Sequence, residues 1–99
     1  MYDESIDWFE QALAIDDQND ETYNGLAWSL FNLERYGEAE ESFRAAIALD
    51  DSYASAYYGL GRTLEEQNRL AEAREAFEQT LAFDPEYESA REALERLSE

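Results

Sequence analysis

Cysteine, histidine and lysine are missing altogether from this 99-residue chain. Without cysteine there is no disulfide framework, thiolate nucleophile or thiolate metal site. Without histidine the usual general base near neutral pH and the commonest metal ligand are gone. Basic charge is scarce. Seven arginines (Arg35, Arg44, Arg62, Arg69, Arg74, Arg91 and Arg96) face 25 acids, for a formal net charge of -18. Such a chain repels phosphate backbones and anionic lipid, so neither nucleic acid nor a membrane is an expected partner. Long hydrophobic runs are lacking as well, and none approaches the roughly 20 residues that cross a bilayer. Met1-Tyr2-Asp3-Glu4 offers neither the basic nor the apolar part of a signal peptide, so the expected compartment is the cytoplasm.

Apolar residues are plentiful by comparison: a hydrophobic content of 44%, with 14% aromatics, supports a core rather than disorder. They follow a pattern that returns every 34 residues. Glu4-Ser5, Phe9, Ala12-Leu13, Ile15 and Asp16 recur as Glu38-Ala39, Phe43, Ala46-Ile47, Leu49 and Asp50. They recur again as Glu72-Ala73, Phe77, Thr80-Leu81, Phe83 and Asp84. Half a unit out of phase, Tyr23, Gly25, Leu26 and Leu30 return as Tyr57, Gly59, Leu60 and Leu64. Both patterns have helical spacing. Each unit therefore reads as two antiparallel helices joined by a turn, and repetition at this period marks a stacked helical array.

The spacing predicts an all-α fold of about six helices, over residues 3–15, 20–33, 37–49, 54–67, 71–83 and about 86–97. Asp16-Asp17-Gln18-Asn19 and Asp50-Asp51-Ser52 read as capping turns, Glu34-Arg35-Tyr36-Gly37 as a break, and Pro85 as the first turn of the last helix. Phe43, Ala46, Ile47 and Leu49 should form one apolar stripe, and Tyr23, Leu26 and Leu30 the stripe facing it. Ala39 and Ala73 are small where paired helices approach. The last helix keeps a narrower stripe, Ala90, Leu94 and Leu97, with the polar outer face that a terminal helix needs. The domain plan is a half repeat over 1–19, full repeats over 20–53 and 54–87, and a capping helix over 88–99. A chain opening on a half repeat is expected to be the C-terminal end of a longer repeat protein. Ile6 and Trp8 should then lie on an open face, with weak self-association or fraying there.

Reaction chemistry is not visible. Carboxylates are abundant, but no pair is singled out for different environments as acid catalysis requires. A calcium loop starting at Asp16 fails, because Glu21 stands where glycine is needed and Ala27 where the last glutamate is needed. Gly59-Leu60-Gly61 follows no strand, so it is not a phosphate loop. No enzyme activity, cofactor or metal is expected.

Taken together, Tyr57, Leu60-Gly61, Leu64, Ala73, Phe77, Thr80 and Pro85 resemble the tetratricopeptide repeat. So do Tyr23, Leu26-Ala27, Leu30, Ala39, Phe43, Ala46 and Asp51 one unit earlier. The departures are mild: Leu30 and Leu64 for tyrosine, Ala27 for glycine, Thr80 for alanine and Asp51 for proline. The resemblance implies a right-handed superhelix whose concave face, lined by the first helix of each pair, binds a peptide or partner protein. By the family's pattern, the groove positions are Glu21, Asn24, Gly25, Trp28, Phe31 and Asn32. In the next unit they are Ser55, Tyr58, Gly59, Arg62, Glu65 and Glu66, continued by Ser89, Glu92 and Arg96. The chaperone-binding subset of the family clamps a C-terminal carboxylate with lysine, asparagine and arginine. Here no lysine is present and only Asn24 supplies an amide, which counts against that partner class.

Within the groove set, Trp28, Phe31 and Tyr58 stand off the core stripe, and tryptophan and tyrosine are favoured interface anchors. Removing Trp28 should therefore cost binding and little stability. Arg62 and Arg96 occupy equivalent positions and could accept an acidic or carboxylate-bearing segment, unless Arg62 is taken by Glu65 or Glu66 on its own helix. The expected peptide-binding set is Asn24, Trp28, Phe31, Tyr58, Arg62, Glu65 and Arg96. A structural spacer or self-associating segment of a larger assembly is the alternative. The acids are spread along the whole chain with arginine in place of lysine. That distribution resembles proteins of high-salt cytoplasms more than a surface built for one basic partner.

Overall fold

The computed structural model describes residues 2–98, so residues 1 and 99 of the expected half repeat and cap lie outside the described residues. Six helices follow in order: α1 (Tyr2–Ile15), α2 (Asp20–Asn32), α3 (Tyr36–Leu49), α4 (Ala54–Glu66), α5 (Leu70–Phe83) and α6 (Glu88–Leu97). Each packs against the next, and α2 also touches α4, which lines up the first helices of the two pairs along one face. The result is elongated, 42 × 25 × 18 Å.

The core is the repeat made physical. Phe43 and Phe77 are fully buried, as are Ala39, Ala73, Ala46 and Ala56. Phe9 and Phe43 each wedge under the first helix of the following unit, and glycine makes the room. A Cβ on Gly59 would lie 2.2 Å from Phe43 Cε1, and one on Gly25 would lie 2.6 Å from Phe9 Cζ. These two glycines therefore face the core, which corrects their expected place in the groove. Gly61 fits the same way within its own pair, 2.6 Å from Phe77 Cε1. Thr63 and Thr80 are buried at no cost in unpaired polar groups, because their hydroxyls donate to the Gly59 and Ala76 carbonyls at 2.9 and 3.0 Å.

Several expected details shift. Leu49 is 36% exposed and off the stripe, whereas Ile6, expected on the open face, is only 6% exposed. Helical phase decides both: Ile6 lies on the same side of α1 as Phe9 and Leu13, which pack on the core. In α6 the buried residues are Ala90 and Ala93, with Leu94 and Leu97 half-buried beside them. Pro85 precedes α6 rather than opening it. The Asp84 carboxylate accepts the Glu86 N–H at 3.2 Å, closing a turn that delays the helix to Glu88. The same turn recurs at Asp16 and Asp50, accepting from Gln18 and Ser52 at 3.0 and 3.1 Å. These aspartates are turn formers. Among the described residues only α2 receives a side-chain cap, with Asn19 Oδ1 accepting the Thr22 N–H at 3.0 Å. Gly37 lies inside α3, and the left-handed residues between paired helices are Glu34 (φ 63) and Asn68 (φ 61).

Burial raises the phenols of Tyr36, Tyr53, Tyr57 and Tyr87 above their ordinary 10.0. Nearby carboxylates add to this, Glu66 at Tyr36, Glu21 at Tyr53 and Asp51 at Tyr57. A raised folded-state value means the folded chain holds these protons longer than the unfolded chain. Stability is then intact below pH 10 and falls as pH rises through the folded values. Lysine and cysteine, which titrate in the same window, are absent. Urea midpoints followed from about pH 8 to about pH 11 should drop as tyrosinate absorbance grows. A flat midpoint across that range would contradict the assignment.

Candidate protein-binding groove

The concave face is built from α2, α4 and α6, and its chemistry is an aromatic row ending in a cation. Trp28 stands edge-on to Phe31 and to the buried Phe43, at 5.4 and 5.2 Å between centroids. Tyr58 follows at 6.1 Å from Trp28 and continues to Tyr87 at 5.1 Å. At the other end Phe31 meets Tyr36 at 5.4 Å. Trp28, Phe31 and Tyr58 are thus half-buried and joined to the core. This corrects the expectation that Trp28 is free of it: truncating the indole strips the lid from Phe43 and costs stability as well as binding surface.

Arg62 closes the row. Its guanidinium carbon lies 5.2 Å from the Phe31 ring centre and 5.9 Å from that of Tyr58, and Nη1 donates to the Tyr58 hydroxyl at 3.2 Å. Among the described residues no carboxylate forms an ion pair with it, so the expected alternative, pairing with Glu65 or Glu66, is not realised. Arg96 differs. Its Nε and Nη2 donate to both oxygens of Glu65 at 2.7 to 3.1 Å, and that contact raises its pKa. The two arginines make the same inter-repeat contact. Each reaches back 31 residues to the preceding first helix, where Arg62 finds Phe31 and Arg96 finds Glu65. Among the described residues one cation has no carboxylate partner, and the other is ion-paired.

Tyr58, Arg62, Glu65 and Arg96 line one open cavity of ≈ 370 Å³ together with Glu66. Trp28 and Phe31 adjoin it through ring contacts. Asn24 does not line it. Its amide lies beside Tyr53, while its Oδ1 is buried without a hydrogen-bond partner among the described residues. Sequence reasoning missed Tyr36 and Tyr87 as members of the aromatic row. A signal was available for Tyr87, which repeats Tyr53 at 34 residues.

Stacked helix pairs with a concave aromatic face define a protein-interaction module. The family profile described as Tetratricopeptide repeat matches residues 24–88, and the chain belongs to that family. The first such domain of Spaghetti (RPAP3), solved bound to the HSP90 peptide SRMEEVD, is similar with a TM-score of 0.96. Identity is 30%, over 98% of this chain and 77% of that one. The first domain of human RPAP3 gives 0.95 at 30% identity, over 98% and 76%. The second human domain, in complex with the HSP70 peptide SGPTIEEVD, gives 0.94 at 28%, over 99% and 82%. No curated protein sequence matches the chain significantly. Among the described residues, no helix is long and apolar enough to cross a membrane.

Proposed function

We propose that the groove binds an extended acidic segment of a partner protein, with a carboxylate on Arg62 and an apolar side chain against Trp28 and Tyr58. The observation that carries this reading is the unneutralised, half-buried Arg62 guanidinium in a chain of net charge -18. A cation held by ring faces and one hydroxyl keeps donors for an incoming carboxylate, and charge-assisted hydrogen bonds are the strong kind. Glu65 and Glu66 on the cavity wall disfavour a dianion and leave room for single carboxylates. The peptides bound to two of the similar domains, SRMEEVD and SGPTIEEVD, are acidic at their ends, which agrees with this chemistry although the lysines of a carboxylate clamp are lacking here. The reading assigns no catalysis to the chain and places its work in the cytoplasm, where strong net charge favours solubility.

The probe is the peptide SRMEEVD, compared with a counterpart in which both glutamates and the aspartate are amides and the C-terminus is amidated. Calorimetry should give at least about tenfold tighter binding for the acidic form, or about 1.4 kcal/mol. Arg62→Gln should abolish that difference, while Glu65→Gln, which frees Arg96, should enlarge it. Equal binding of the two peptides, or no effect of Arg62→Gln, would refute the assignment.

A further inference from the structure

A second contact surface lies at the other end of the array. In α1, Glu4, Trp8, Gln11 and Ile15 fall at i, i+4, i+7 and i+11, one stripe of the helix. Trp8 is 63% and Ile15 89% exposed. An open cleft of ≈ 290 Å³ runs beside Trp8, lined also by Phe9, Asn19, Glu21 and Thr22.

The repeat identifies what this stripe is for. The residues equivalent to Trp8 are Ser42 and Ala76, which are 9% and 5% exposed because α2 and α4 lie across them. The residues equivalent to Ile15 are Leu49 and Phe83, 36% and 45% exposed against 89% for Ile15, and Phe83 is stacked by Tyr57 of α4 at 5.5 Å. On α3 and α5, therefore, the middle of this face lies under an antiparallel helix and its C-terminal end is partly covered. On α1 it is bare among the described residues and carries the largest apolar side chain of the three equivalent positions.

Charge selects the occupant. The first basic residue of the chain is Arg35, so α1, the following turn and the start of α2 are wholly anionic. Glu4, Asp7, Glu10, Asp17 and Glu21 form no ion pair among the described residues. Two copies meeting through this face would bring like charges together around Trp8, which opposes the self-association expected from sequence.

We infer that the α1 face docks a basic amphipathic helix of a partner protein, seated across Trp8 and Ile15 as α4 is seated across α5. Apolar side chains at i, i+4 and i+7 of that helix cover the indole and the isoleucine, and flanking arginines or lysines meet the carboxylates. The chain then presents two surfaces of opposite preference, a groove for an acidic segment and an end face for a basic helix.

The test uses the full chain with Trp28→Phe, leaving Trp8 as the one tryptophan of the two, and two synthetic peptides. One copies residues 54–67. The other copies them with Ser55→Lys, Glu65→Lys and Glu66→Lys. The basic peptide is expected to shift Trp8 emission to shorter wavelength. Calorimetry should show it binding at least about tenfold tighter than the unaltered copy. Trp8→Ala should remove most of that binding, and raising salt from about 0.05 to about 0.5 M should weaken it. Trp8 is exposed enough for the variant to keep its circular dichroism and melting temperature. Equal binding of the two peptides, or binding untouched by Trp8→Ala, would overturn the inference. A concentration-dependent dimer that buries Trp8 in the chain alone would overturn it in favour of a second copy.

Discussion

Phe77→Ala and Phe43→Ala should each remove about 3–5 kcal/mol of stability, the range for emptying a buried aromatic site. A domain of this size holds about 5–15 kcal/mol in total, so either variant would sit near the edge of folding. Both rings are fully buried. Phe43 fills the space under Gly59 and against the edge of Trp28, and Phe77 fills the space under Gly61 and beside Tyr58 at 5.7 Å. The glycines offer no side chain that could move in to fill the void, so relaxation is poor and the cavity cost stays high. Phe9→Ala is the comparison. Its ring is half-buried at the end of the array, touching Trp8 edge-on at 5.1 Å, and its loss should cost under half as much. In an array, coupling between units runs through such wedges. Phe43→Ala should therefore also lower the urea m-value, as the two ends cease to unfold together. A loss below about 1 kcal/mol at Phe43 or Phe77 would mean that the wedge does not hold the units together.

Alanine placed at three glycines should give three different signs. At Gly59 a Cβ would lie 2.2 and 2.3 Å from Phe43 Cε1 and Cζ, and the ring is locked by Trp28 above it. Overpacking there should cost about 3 kcal/mol, more than the roughly 1 kcal/mol that alanine gains over glycine in a helix. At Gly25 the nearest atoms are 2.6 and 2.7 Å away on Phe9, a half-buried ring that can turn outward, and the two effects should nearly cancel. At Gly37 nothing lies within 4 Å. That substitution should stabilise by about 0.5–1 kcal/mol, because α3 there has helical backbone that alanine adopts without strain. Chemical denaturation of the three variants in one series checks the ordering. A Gly59→Ala chain as stable as the parent would show that Phe43 has room the packing denies.

The places where sequence reasoning held and failed separate cleanly by range. Helix boundaries fell within one residue for five of the six helices, because apolar phase and turn residues act within a few positions of themselves. The sixth began late at Glu88, where the local turn at Asp84 outweighed the usual preference of proline for a first helical position. Errors concentrated where a side chain's neighbour comes from another unit. Gly25 and Gly59 were placed on the groove by position, yet an aromatic ring from the preceding second helix stands against each. Trp28 was placed outside the core because Phe43 beneath it comes from the paired helix α3 and was not visible from α2 alone.

Arg62 and Arg96 make the point most directly. They are equivalent in the repeat, and nothing within either helix explains why one lacks a carboxylate partner among the described residues while the other is ion-paired. The difference lies 31 residues back, where Phe31 meets one and Glu65 the other. By itself the sequence determined the helical pairs, the 34-residue register, the buried phenylalanines and the acidity, because periodic burial and composition are properties of local chain and solvent. Only the tertiary structure decided which groove cation is available, which glycines are spacers and which face of α1 is bare. Those facts depend on side chains brought together by the stacking of one unit on the next, at a separation over which helical periodicity carries no information.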